Sequence, residues 1–174
     1  IMDNLLCLAH TDALQVIVYP HKNYESSGIL NLKPIANNII ELNFNGIPVR
    51  NDELDFIGLC QNLEKLNLGN TGIDDEGVNK LQDLEKLTEL KIYNSNITDK
   101  TLDKVEEYPQ LSRLYAYNSG ITEAGIDRLT KAKPGLSIIK SAEEARDFKS
   151  VLPPPMAYPR IYFFTGAARV KLNH

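Results

Sequence analysis

Apolar residues recur along this chain in six columns, each repeating at a step of 24 residues. The first column holds Ile39, Leu63, Leu87 and Leu111, the second Leu42, Leu66, Leu90 and Leu114, and the third Phe44, Leu68, Ile92 and Ala116. Val49, Ile73, Ile97 and Ile121 follow, then Leu54, Val78, Leu102 and Ile126, then Ile57, Leu81, Val105 and Leu129. The alternation Leu66-x-Leu68 puts both side chains on one face of a short strand, while Val78 and Leu81 have the i, i+3 spacing of a helical face. One strand and one short helix cannot close a core. Copies must therefore stack, with the strands in a parallel sheet and the helices covering its back. Parallel strands need a crossover, which segments such as "TGIDDEGVNKLQD" supply. The pattern predicts strands near 40–44, 64–68, 88–92 and 112–116, with Leu66, Leu90 and Leu114 buried.

The polar positions keep the same step. Asp74, Thr98 and Thr122 precede helical segments and are expected to cap them, each followed by an acid (Asp75, Asp99 or Glu123) that complements the positive helix end. Read instead as paired carboxylates for general acid/base work, these acids make a weaker case, because the motif recurs in three copies. Thr71, Ser95 and Ser119 form a column of small hydroxyls suited to satisfying backbone groups where the strand turns away, and Ile47 breaks it. Pro109 and Pro134 stop helical stretches.

Self-similarity with this period marks a leucine-rich repeat. The pattern LxxLxLxxTxITDxGLxxL, closing with "LTKAKPGLSI" at 129–138, resembles the bacterial leucine-rich repeats of large planctomycete-type envelope and cytochrome c proteins, over about residues 37–139. The fold this implies is α/β: a right-handed β/α superhelix, or solenoid, with the parallel sheet on its concave face. Residues 1–38 fall outside the register and read as an N-terminal cap or degenerate repeat, with a strand in "ALQVIVY". Repeats occupy 39–139, and 140–150 form a cap helix opened by the Ser141/Glu144 capping box. Residues 151–160 are a proline-rich linker, and 161–174 are a hairpin or the start of a truncated β domain. That last segment is similar to the opening strands of the β-sandwich ending chitobiase and hexosaminidase chains. The resemblance implies a periplasmic or cell-surface setting, although no signal sequence stands in this chain.

Proteins of this architecture often carry a c-type haem domain, but its CxxCH signature is absent here, so no cofactor is expected. Cys7 and Cys60 sit in apolar contexts and read as buried thiols, a single disulfide between them being the alternative, and His10, His21 and His174 show no metal-ligand spacing. There is no GxSxG, phosphate loop or HExxH, so the chain does not read as an enzyme. A net charge of −4 over 174 residues leaves no basic footprint for nucleic acid. No apolar run reaches the roughly 18 residues of a spanning helix, so membrane insertion is not expected.

Function is then sought on the outward positions between the sheet leucines. Glu41, Lys65, Glu89 and Arg113 make one column of alternating charge. The next two are Asn43, Asn67, Lys91 and Tyr115, then Asn45, Gly69, Tyr93 and Tyr117. Tyr93, Tyr115 and Tyr117, with Lys91 and Arg113 beside them, form the candidate partner-binding patch, since tyrosine and arginine dominate protein hot spots. The same tyrosines can instead simply pack on each other as favoured strand residues. The expected role is a protein-protein interaction or scaffold module of a larger protein. The alternative is an accessory carbohydrate-binding module, since tyrosine also stacks on sugar rings.

Overall fold

The computed structural model describes residues 13–18, 26–49, 51–81, 84–151, 160–164 and 167–171. Cys7, His10, His21, His174 and the proline-rich stretch 152–159 lie outside them. Strand β1 (Leu14–Val18) is followed by a 3-10 segment (Ser26–Asn38), β2 (Ile39–Asn43) and α1 (Asn51–Gly58). Three units of strand and helix come next: β3 (Lys65–Asn67) with α2 (Asp75–Asn79), β4 (Glu89–Lys91) with α3 (Lys100–Glu107), and β5 (Arg113–Tyr115) with α4 (Glu123–Ala132). The chain continues through β6 (Ser137–Ile139), α5 (Ala142–Val151), β7 (Arg160–Phe164) and β8 (Ala167–Lys171).

Strands β1 to β6 lie side by side in chain order and run parallel. From β2 onward the register is the sequence period itself: Leu42 faces Leu66, Leu66 faces Leu90, and Leu90 faces Leu114. Between β1 and β2 the pairing slips, with Leu14 opposite Ile39 but Gln15 opposite Glu41, which is why the 24-residue step fails there. On the other side of β1 the chain returns as β7, parallel to it, with β8 antiparallel to β7. Leu66, Leu90 and Leu114 are 1%, 0% and 0% exposed, and share one core with Val78, Leu81, Leu102, Val105 and Leu129 of the helices.

Strands β3, β4 and β5 are shorter than expected because the chain turns soon after Leu66, Leu90 and Leu114. Their backbone ladder nevertheless continues into the turn: Leu68 N donates to Lys91 O at 2.7 Å, Ile92 N to Tyr115 O at 2.9 Å, and Asn94 N to Tyr117 O at 3.0 Å. The turn needs a left-handed residue at the same place in every copy. Gly46, Asn70, Asn94 and Asn118 fill it with φ of 76°, 57°, 49° and 51°; glycine and asparagine tolerate that region best. The asparagines then pair across copies, Asn70 Nδ2 donating to Asn45 Oδ1 (2.8 Å), Asn94 to Asn70 (2.6 Å) and Asn118 to Asn94 (2.8 Å).

The hydroxyl column works as expected: Thr71 Oγ1 donates to Leu68 O (2.7 Å), Ser119 Oγ to Ala116 O (2.7 Å), and Ser95 Oγ to Ile92 O. In the first copy the Ile47 backbone N–H does the same job, donating to Phe44 O at 3.0 Å. The capping expectation needs one correction. Asp74 and Thr122 do cap, accepting from Gly77 N and Gly125 N at 2.9 and 3.1 Å. Ahead of α3, however, the cap position falls on Asp99, whose side chain makes no cap bond. Its carboxylate turns to the following copy, accepting from Thr122 N (2.8 Å) and Thr122 Oγ1 (2.7 Å). Asp75 likewise accepts from Thr98 N (2.8 Å), Thr98 Oγ1 (2.7 Å) and Thr101 Oγ1 (2.5 Å). The acids thus clamp one copy to the next. A local clamp also explains Gly125, since a Cβ there would stand 2.3 Å from Asp99 Oδ1.

Cys60 is a buried free thiol whose Sγ donates weakly to Phe56 O, and burial pushes its pKa up to about 12. It behaves as a small core residue.

Candidate functional site

The parallel register sets the outward side chains in rows about 4.8 Å apart. Glu41, Lys65, Glu89 and Arg113 face one another in succession, but the charges are not shared evenly down the row. Glu89, 7% exposed, takes Lys91 Nζ at 2.8 Å and Arg113 Nε at 2.8 Å. The Arg113 Nε–H is buried without a well-aligned hydrogen bond, so this second contact is an ion pair without hydrogen-bond geometry. Burial works to raise the Glu89 pKa, but Lys91 and then Arg113 and Lys65 outweigh it, and the net result lies below the ordinary value. Glu41 instead accepts from Gln15 Nε2 at 2.8 Å. Glu89 is therefore the anchor of the row rather than one of its exposed charges.

The tyrosines also part company. Tyr115, expected on the open face, is only 3% exposed. Its register neighbours are Lys91, whose ammonium sits 4.9 Å from the ring centroid, and Ile139, which is buried as well. Helix α5 packs on β6 at this end. Tyr93 and Tyr117 remain half-buried, and their rings stack with centroids 4.7 Å apart and planes 9° from parallel. The Tyr93 ring lies across Gly69, where a Cβ would come within 2.3 Å of Cζ, and its hydroxyl donates to Asn45 Oδ1 at 2.9 Å. Burial raises the Tyr93 pKa, with the Asn67 amide working the other way. Burial also raises Tyr115 and Tyr117.

Of the five predicted residues, the structure brings Lys91, Arg113 and Tyr115 together around Glu89, and Tyr93 and Tyr117 into a separate stack. Three contributors went unnoticed in the patch: Glu89, Gly69 and Asn45. The signal for Gly69 was present, since it precedes a tyrosine in its own 24-residue column and a missing side chain makes room for a neighbouring ring. Asn43 and Asn67 each use Oδ1 to hold a turn, accepting from Asn45 N (2.9 Å) and Gly69 N (3.0 Å). Among the described residues no group of three His, Cys, Asp or Glu could hold a metal, and no helix is long and apolar enough to cross a membrane.

No protein-family model and no curated protein matches the chain. Solved structures do. A leucine-rich repeat protein of Leptospira interrogans is 20% identical with a TM-score of 0.45, the match covering 71% of this chain and 28% of that one. Internalin C2 of Listeria monocytogenes is 22% identical with a TM-score of 0.43, covering 65% of this chain and 60% of that one. The Mex67:Mtr2 subunits of Chaetomium are 15% identical with a TM-score of 0.45, covering 83% and 96%. The chain thus spans under two thirds of either bacterial protein. The chain's own register, with Leu66, Leu90 and Leu114 opposite one another and buried, shows stacked strand-helix copies at a 24-residue step.

Proposed function

We propose that this chain is a non-enzymatic interaction module that binds a protein partner on the outward face of its sheet. The observation that carries this reading is a row of aromatic and cationic side chains already held in place. Tyr93 and Tyr117 are stacked, and Lys91 and Arg113 are both pinned by Glu89. Groups fixed before binding lose little side-chain entropy on association. The carboxylates best placed for acid/base work are occupied structurally, Glu89 by two cations and Asp75 and Asp99 by threonine donors. Carbohydrate is the less favoured ligand, because stacking of Tyr93 on Tyr117 turns a ring face of each away from any sugar.

The same proposal takes residues 39–139 as a right-handed superhelix with the sheet on its concave side, as strand-helix repeats with right-handed crossovers commonly curl. It also takes the parent as a larger envelope protein at the periplasm or cell surface, a setting that rests on the repeat's resemblance alone and is checked by fractionating the source cells. For the binding face the test is a partner captured from those cells, followed by titration with substituted chains. Tyr117→Ala and Arg113→Ala should each weaken binding by about 1 kcal/mol or more, as hot-spot truncations commonly do. Tyr115→Ala should chiefly lower stability, since that ring is buried. Unchanged affinity in Tyr117→Ala and Arg113→Ala would rule this face out.

A further inference from the structure

The first copy builds its turn differently from the others. Asn70, Asn94 and Asn118 each meet two needs at once, a left-handed φ and a carboxamide for the neighbouring copy. In the first copy Gly46 takes the left-handed φ, at 76°, and Asn45, one position earlier, supplies the carboxamide. Splitting the job creates Asn45–Gly46, and Asn45 is the one asparagine in the sequence that is followed by glycine.

That pair has a chemistry of its own. The backbone nitrogen after an asparagine can attack the side-chain amide carbon, and glycine obstructs the attack least because it carries no Cβ. Here both reacting groups are engaged by neighbouring copies. The nucleophile, Gly46 N, donates its hydrogen to Gly69 O at 2.9 Å. The electrophile is held through Asn45 Oδ1, which accepts from Asn70 Nδ2 at 2.8 Å and from Tyr93 Oη at 2.9 Å. Gly46 is exposed, so water and solvent base reach the turn, and the bonds across the copies are what keep the two groups apart.

We propose that Asn45 is a deamidation site latched by the second and third copies, and that it converts when the turn of the first copy lets go of them. Local openings of this kind need far less free energy than global unfolding. In the open turn solvent base takes the Gly46 N–H proton, the nitrogen bonds to Asn45 Cγ, and the bond from Cγ to Nδ2 breaks with loss of ammonia. Water then opens the succinimide at one of its two carbonyls, leaving aspartate or isoaspartate at position 45. Nothing is oxidised or reduced. Aspartate keeps an oxygen within reach of the Asn70 amide and the Tyr93 hydroxyl. Isoaspartate carries an extra methylene in the backbone and a carboxylate one carbon closer to it, so the Tyr93 hydroxyl loses its acceptor and the latch does not close again.

The test incubates the full chain in mildly alkaline buffer, folded or in urea, and follows each asparagine by digestion and mass spectrometry. In urea the peptide holding Asn45 should be the first to show the amide-to-acid mass gain. In the folded chain its conversion should be slower by at least about tenfold. Asn70→Gly with Tyr93→Phe removes both donors to Asn45 Oδ1, while glycine keeps the φ of 57° at position 70 and phenylalanine keeps the ring. That pair should speed conversion in the folded chain several-fold, and Tyr93→Phe alone should speed it less. Leu129→Ala, which opens a cavity in the core at the other end of the repeats, should leave the rate unchanged. The proposal is overturned if the folded chain converts as fast as the chain in urea, if another asparagine reacts first in urea, if the double variant is no faster, or if Leu129→Ala speeds conversion equally.

Discussion

Gly69 shows what a single atom decides. Without a Cβ, the strand leaves a flat place on which the Tyr93 ring lies, and that ring in turn seats Tyr117 and reaches Asn45. A methyl group here would sit inside the ring's volume. The ring is the far end of a side chain with two rotatable bonds, so the backbone stays and the ring swings out, losing its hydrogen bond and its stacking partner. Gly69→Ala should therefore lower stability by about 1 to 3 kcal/mol, the usual cost of inserting a methyl into packed surroundings. The near-ultraviolet circular dichroism of the tyrosines should fall with it. An unchanged spectrum would mean that the stack does not depend on this gap.

Among the elements, strands were easier to read than the links between them. Columns of leucine at a constant step are visible because each must be apolar, and burial leaves few alternatives. The links use residues with several ordinary roles. Asn70, Asn94 and Asn118 look like generic turn formers until the left-handed φ and the ladder are both seen. Asp75 and Asp99 match the helix-dipole rule so well that their bonds to the next copy are hidden by it. The buried state of Tyr115 goes with its register neighbours, Lys91 over its ring and the equally buried Ile139, and a column of mixed residue types does not announce it.

The clamps make the joins acid-sensitive, and the sign follows from the direction of the shifts. Asp75 lies below its ordinary 3.8, burial opposing but the bonds from Thr101 and Thr98 prevailing. Asp99 lies below 3.8 chiefly through the Thr122 amide, and Glu89 below 4.5 through its cations, against burial. A carboxyl whose folded pKa is depressed contributes stability that is complete above its unfolded value and is lost as pH falls through the folded one. The urea midpoint should thus hold steady from neutral pH to about pH 4.5 and then decline. Thr122→Val, which removes a hydroxyl donor to Asp99, should make the decline shallower. An identical slope in that variant would show that the clamp carries no share of it.

At the scale of the whole molecule, contacts between neighbouring copies dominate the repeat region, so its length should be adjustable in whole periods. Deleting Leu87 to Gln110 joins two copies whose facing groups still match. Asp75 would meet Thr122 in place of Thr98, Asn118 would donate to Asn70, and the Tyr117 ring would take the place of Tyr93 over Gly69. One new mismatch appears: Lys65 would face Arg113 without Glu89 between them. The shortened chain should fold cooperatively and be less stable, with a smaller dependence of stability on denaturant, because less surface is exposed on unfolding. Added salt should recover part of the loss by screening the Lys65–Arg113 repulsion. Deleting Leu87 to Thr98 alone removes half a period, sets helix residues against strand residues, and should abolish cooperative unfolding. If both deletions behave alike, the register is not what holds the copies together.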